Sequence, residues 1–124
     1  MELSDFFKSV LDGDTSPIVL CDLDHIIIYM NPAAVRNYAK RGGENLVGKS
    51  LLDCHNLHSR ELIRKTVTWF EESTDHNRVF EFHSDKDNRD VYAVALRDSA
   101  GKVIGYYEKH EYRTRETGTA FDLK

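Results

Sequence analysis

Apolar residues recur at Leu3, Phe6, Phe7, Val10 and Leu11. The spacing i, i+3, i+4, i+7, i+8 marks one helical face and predicts an amphipathic helix over residues 3–11. Ser4 is its expected N-cap, and Asp12-Gly13-Asp14 stops it. Two strands follow, Pro17–Asp22 and Ile26–Met30, turned by Leu23-Asp24-His25. Asn31 suits the cap and Pro32 the first position of a short helix over 32–40, which Gly42-Gly43 breaks. Leu46-Val47-Gly48-Lys49-Ser50 is a tight connection into Leu51–His58. Ser59 is the expected N-cap of a longer helix with Leu62, Ile63, Val67 and Phe70 on one side. Glu61 and Lys65 form an i, i+4 pair on its wet face. Three strands complete the pattern: Arg78–His83, Asp90–Arg97 and Val103–Tyr112. Grouped strands with helices between them predict an α+β fold, an antiparallel sheet with helices on one face.

Length bounds the picture: 124 residues make one domain. We divide it into an N-terminal amphipathic helix over 1–14, a body over 15–113 and a polar tail over 114–124. The net charge of −4 and pI near 5.8 argue against a nucleic-acid partner, which needs a concentrated basic face. No apolar run approaches the ~20 residues of a membrane span. The N-terminal stretch has neither the basic start nor the apolar core of a signal peptide. Cys21 and Cys54 are too few for a disulfide framework or a four-cysteine zinc site. These features predict a cytoplasmic chain with reduced thiols.

Three segments then carry a family likeness. Asp24 with Ile26–Met30 and Asn31-Pro32-Ala33-Ala34 forms a strand pair running into a short helix. Leu46-Val47-Gly48-Lys49 precedes the long helix. Arg97-Asp98-Ser99-Ala100-Gly101-Lys102-Val103-Ile104-Gly105 makes the last hairpin. In this order and spacing they resemble a PAS domain spanning Ser16 to Tyr112. The family's Asp-hydrophobic-Thr ending is missing, and Glu111-Tyr112-Arg113-Thr114 stands in its place. The resemblance implies a five-stranded antiparallel sheet of strand order 2-1-5-4-3 with helices cupping one face. It also implies a pocket for a small ligand or cofactor, and a role in sensing and dimerisation with catalysis rare. Flavin photosensors of the family place a cysteine shortly after the glycine matched by Gly48; Leu51 and Leu52 occupy that stretch, and Cys54 comes late. That argues against flavin. Haem sensors place a histidine inside the long helix, whereas Glu61–Lys65 has none, so haem is unsupported and the cofactor stays open.

The polar residues mark a candidate pocket. Cys54-His55-Asn56-Leu57-His58 sits where the chain enters the long helix, which walls the pocket in the fold the resemblance implies. Alternation in the last strand groups Ile104, Tyr106, Glu108, His110 and Tyr112 against Tyr107, Lys109 and Glu111. A one-residue slip exchanges the two faces, so either can point inward. The candidate ligand residues are Cys54, His55, His58, Tyr106, Glu108 and His110. A buried Glu108 or His110 needs a partner: each other, Arg89, Arg97 or a polar ligand. Equally, Cys54 fits as a small hydrophobe and the histidines as loop residues. Cys-His-x-x-His alone is too weak to predict a metal. Ala93, Ala95 and Gly105 predict empty volume, and Phe80 and Phe82 read as core. The stripe Leu3, Phe6, Phe7 and Val10 is the candidate homodimer interface. The resulting reading is a non-catalytic sensory module. It binds a small molecule or a partner protein and signals through dimer contacts or an unidentified signalling partner. The rivals are a thiol redox switch or enzyme using Cys54 and His55, and a ligand-free interaction domain.

Overall fold

The computed structural model describes residues 3–124. Helix α1 is Leu3–Gly13, strands β1 and β2 are Val19–Asp22 and Ile27–Met30, and α2 is Pro32–Asn37. Three single 3₁₀ turns, Ala39–Arg41, Gly43–Leu46 and Leu51–Cys54, lead to α3, Leu57–Glu72. The remaining strands are β3 (Arg78–Ser84), β4 (Arg89–Arg97) and β5 (Val103–Tyr112). All pair antiparallel in the order β2-β1-β5-β4-β3, as the resemblance implies. No helix among the described residues is long and apolar enough to cross a membrane.

Asn31 joins the first three elements. It is fully buried, and its Oδ1 accepts from the N–H groups of Ile18 and Ala34, both at 2.9 Å. Its Nδ2 donates to the carbonyls of Leu11 at 2.8 Å and Ser16 at 3.0 Å. One side chain therefore caps α2, aligns the approach to β1 and holds the end of α1. The Tyr29 hydroxyl adds a second tie by donating to Asp12. Beyond these ties α1 stands clear, and Leu3, Phe6, Phe7 and Val10 are 51–72% exposed.

Helix α3 is fastened at one end. Val67 and Phe70 in its second half are buried, whereas Leu57 and Leu62 in its first half are 79% and 50% exposed. Arg97 secures the C-terminal end, its Nη2 donating to the carbonyls of Phe70, Ser73 and His76. The helix begins earlier than expected. Asn56, not Ser59, is the N-cap, and its Oδ1 accepts from the Ser59 N–H at 2.8 Å. Ser4 likewise lies within α1 instead of capping it. Helix α2 stops at Asn37, three residues short of the expected end, and gives way to 3₁₀ turns around Gly42 and Gly43. Both glycines have positive φ, 124° and 53°, which breaks the helical path.

Gly105 corrects a second expectation. It leaves no empty volume: a Cβ there would sit 2.2 Å from the Cys21 carbonyl oxygen, where β1 and β5 pass each other. Gly105→Ala should therefore lose about 1–3 kcal/mol of stability in urea denaturation, the range for overpacking a tight site. Gly13→Ala, with nothing within 4 Å of the new Cβ, should cost little. Equal stability of the two variants would refute the close approach at Gly105.

Candidate functional site

Because α3 diverges from the sheet toward its N-terminal end, a cavity of about 380 Å³ opens between them. That volume lies within the usual range for small-molecule sites. Leu62, Ile63 and Val67 of α3, Val79 and Phe82 of β3, and Ala93 of β4 form its apolar wall. Its polar groups are His55, Ser59, Thr66, Glu81, Tyr106 and Glu108. Leu62, Glu81, Phe80 and Phe82 are all exposed, so the mouth lies between α3 and the edge strand β3. A smaller lobe of about 110 Å³ lies behind, lined in part by Met30, Tyr38, Arg41 and Cys54. Leu51, His55 and Glu108 border both lobes.

Strand register explains which side chains meet here. Val91, Ala93 and Ala95 of β4 oppose His110, Glu108 and Tyr106 of β5. Val91 and Ala93 are buried, and Tyr106 and Glu108 line the cavity, so this row faces inward. Ile104 departs from the row. Pairing shifts between Leu96 and Arg97, leaving Val103 buried and Ile104 51% exposed. On β3, Val79 opposes Ala93, but the register breaks between Phe80 and Phe82. Such a bulge sets two residues against one partner. Glu81 and Phe82 consequently both reach the cavity lining. Phe80 and Phe82 are not enclosed core residues, being 56% and 45% exposed.

Two carboxyls thus converge on one cavity. Glu108 of β5 opposes Ala93 on the intervening strand, and Glu81 of β3 lies in the bulge between the partners of Tyr92 and Val91; both line the cavity. Burial pushes the Glu81 carboxyl up to about 8, and the charge of Glu108 adds to the rise. Glu81 is thereby biased toward its protonated form, although much of its side chain faces the open mouth. Glu108 takes none of the arginine partners the sequence offered. Arg97 is engaged with α3, and Arg89 bonds His110, Nη1 to Nδ1, at 3.2 Å.

The Tyr106 hydroxyl lies 2.8 Å from His25 Nδ1 in the β1–β2 turn. Burial, then Cys21, pushes its pKa up, so the phenol stays protonated. His55 Nδ1 lies 2.8 Å from the Leu51 carbonyl. A carbonyl can only accept, so Nδ1 carries a proton and Nε2 is left free of this bond.

Of the sequence candidates, His55, Tyr106 and Glu108 line the larger lobe, and Cys54 lines the smaller. His58 is exposed on the first turn of α3 and lies outside both linings. His110 is half-buried against Arg89, also outside them. Glu81 was not among the candidates, because reading Phe80 and Phe82 as core puts it on the outward face; Val79 opposes inward Ala93, so alternation from Val79 turns Glu81 in, and the bulge brings Phe82 to the same side. Cys54 is exposed, while the Cys21 thiol is buried and pushed up to about 12 by desolvation. Among the described residues, no group of three His, Cys, Asp or Glu side chains could hold a metal ion.

A cavity cupped between one long helix and a sheet of this strand order defines a sheet-and-cup class of domain. The family profile described as the PAS fold matches residues 11–115, and the chain belongs to that family. PAS domains are sensory and signalling modules, generally without catalysis. The chain is similar to the PAS domain of a protein from Colwellia psychrerythraea, with 15% identity and a TM-score of 0.64 over 90% of this chain and 97% of that one. It is similar to the PAS domain of BvgS from Bordetella pertussis, with 17% identity and a TM-score of 0.64 over 91% and 88%. It is also similar to the Aer2 receptor of Vibrio cholerae, a dual PAS-haem oxygen sensor, with 19% identity and a TM-score of 0.56 over 79% and 94%. At these identities the likeness is one of fold. No curated protein matches the chain in sequence.

The raised Glu81 carboxyl makes stability depend on pH with a definite sign. Its protonated form binds the fold, so its contribution is complete below the ordinary value of 4.5 and is lost as pH rises to about 8. The melting temperature of Glu81→Gln, relative to wild type, should rise across that window and level above it. A difference that stays constant with pH would contradict the shift.

Proposed function

We propose that this domain is a non-catalytic, cytoplasmic sensor that binds a small molecule in the α3–sheet cavity and signals through the exposed face of α1. The cavity itself carries the reading: it is ligand-sized, apolar along its walls, and supplied with a few converging hydrogen-bonding groups. The thiol alternative, Cys54 with His55, draws no comparable support, since His55 Nδ1 is engaged with the Leu51 carbonyl.

The stripe on α1 suits a homodimer interface, with a signalling partner protein as the alternative occupant. Four large apolar side chains on one face, Leu3, Phe6, Phe7 and Val10, remain uncovered in the single chain. A route from cavity to stripe is short. Met30 lines the smaller lobe, and its neighbour Asn31 holds the Leu11 carbonyl at the end of α1. A ligand with different affinity for two positions of β2 would shift the populations of two α1 arrangements.

Two measurements test this. Replacing Phe6 and Phe7 by Glu should yield monomers in light scattering where the parent chain is a dimer; an unchanged dimer mass rules out this stripe. Native mass spectrometry of fresh protein should give an added mass that leaves on denaturation and is absent from Ala93→Leu, which fills the cavity floor. A bound mass unaffected by Ala93→Leu would move the ligand out of this cavity.

A further inference from the structure

The larger lobe has an unbalanced charge inventory. Two carboxyls, Glu81 and Glu108, reach it, yet no lysine or arginine is among its lining residues. Arg97 is spread over the end of α3, Arg60 holds the Leu52 and His55 carbonyls, Arg89 donates from Nη1 to His110 while its buried Nε has no hydrogen-bond partner, and Arg41 borders only the smaller lobe. The remaining wall is aliphatic or aromatic, apart from neutral hydroxyls and His55. We infer that the cavity is built for a small organic cation, a protonated amine with an apolar body, whose ammonium group sits between Glu81 and Glu108. This rests on the ligand-binding reading above and adds the chemical class.

The fit follows from elementary electrostatics. Removing carboxylates from water is costly unless a counter-charge and hydrogen bonds replace the lost hydration. An ammonium carries three donors and no acceptor, and charge-assisted N–H···O bonds are among the stronger available. Burial, with the charge and hydrogen bond of Glu108, favours a proton on the Glu81 carboxyl. An ammonium arriving between the carboxyls takes over that neutralising role, and the displaced proton goes to solvent. The body of the ligand then lies against Ile63, Val67, Val79 and Phe82. An anion would meet two carboxyls without a basic side chain to offset them. A neutral alcohol would gain the same wall but not the charge.

The test uses matched probes on the full chain. Phenethylamine, phenethyl alcohol and hydrocinnamate share an aromatic body, and hexylamine, hexanol and hexanoate share an alkyl one. Binding is followed by methyl NMR shifts of Ile63, Val67 and Val79. At neutral pH each amine should bind roughly tenfold or more tightly than its alcohol, a difference of about 1.4 kcal/mol, and the carboxylates should bind weakest. In the Glu81→Gln/Glu108→Gln double variant, amine and alcohol should become equal. Should that variant not fold, Glu81→Gln alone should narrow the preference. A preference that survives loss of the carboxyls overturns the inference, as does an alcohol or carboxylate that matches its amine. If alcohols enter and amines do not, the cation class falls while the sensor reading stands. If no probe moves a cavity methyl and native mass spectrometry gives no bound mass, both fall.

Discussion

The site depends on how α3 is fastened. The last carbonyls of a helix have no partner within it, and a cation at that end also meets a favourable dipole. Arg97 supplies both. Its Nη2 serves the Phe70, Ser73 and His76 carbonyls, its Nη1 donates to Gly101, and its Nε donates to Asn77. One guanidinium thus ties the helix end to the β4–β5 hairpin and to the start of β3. The opposite end of α3 has only the Asn56 cap and the Arg60 contacts to the Leu52 and His55 carbonyls. Those bonds anchor it to the preceding turn, not to the sheet. A helix held to the sheet at one end and to a loop at the other leaves a wedge between, and that wedge is the cavity.

What fills the wedge with chemistry is the register of the strands. Val79 opposes inward Ala93, so alternation along β3 already turns Glu81 inward, and the register break brings Phe82 to the same side. Ala93 then matters for what it lacks. A larger residue there would close the floor between Val79 and Glu108. Ala93 was legible as a source of volume; Gly105, of the same apparent smallness, has a different cause. There the missing side chain admits the Cys21 carbonyl.

The contrast between these two positions indicates what a single sequence reveals. Element order, the Asn31-Pro32 helix start and the grouping of Tyr106 with Glu108 follow from local rules of capping and alternation, helped by the family resemblance. Which face of β5 turns inward, the bulge that brings Phe82 beside Glu81, the burial of Val103 over Ile104 and the real start of α3 at Asn56 do not. Each depends on a register or a cap choice settled by competition between distant segments. Asn56 and Ser59 are both capable N-caps by type. Asn56 prevails where the preceding 3₁₀ turn brings the chain in at extended backbone angles, φ −72° and ψ 170°. Strand slips are likewise set by the partner strand, so periodicity within one strand cannot register them.

The sheet order also makes the two ends of the domain closer than they look. The cavity mouth is at the β3 edge, and α1 is tied near the β2 edge, so the whole sheet lies between them. Yet the middle strand, β5, carries Glu108, which borders both lobes, and Tyr106, whose hydroxyl meets His25 in the β1–β2 turn. The His25 carbonyl in turn accepts from Leu51 at 2.7 Å, beside the turn that ends at Cys54. A displacement of β5, were a ligand in the cavity to cause one, would reach β1 and β2 through direct hydrogen bonds. Asn31, with every polar atom engaged, has little freedom to absorb such a shift without moving the end of α1. The physical requirement for signalling is then modest. It is two arrangements of a lightly anchored helix that differ by a few kcal/mol, and a ligand that prefers one of them.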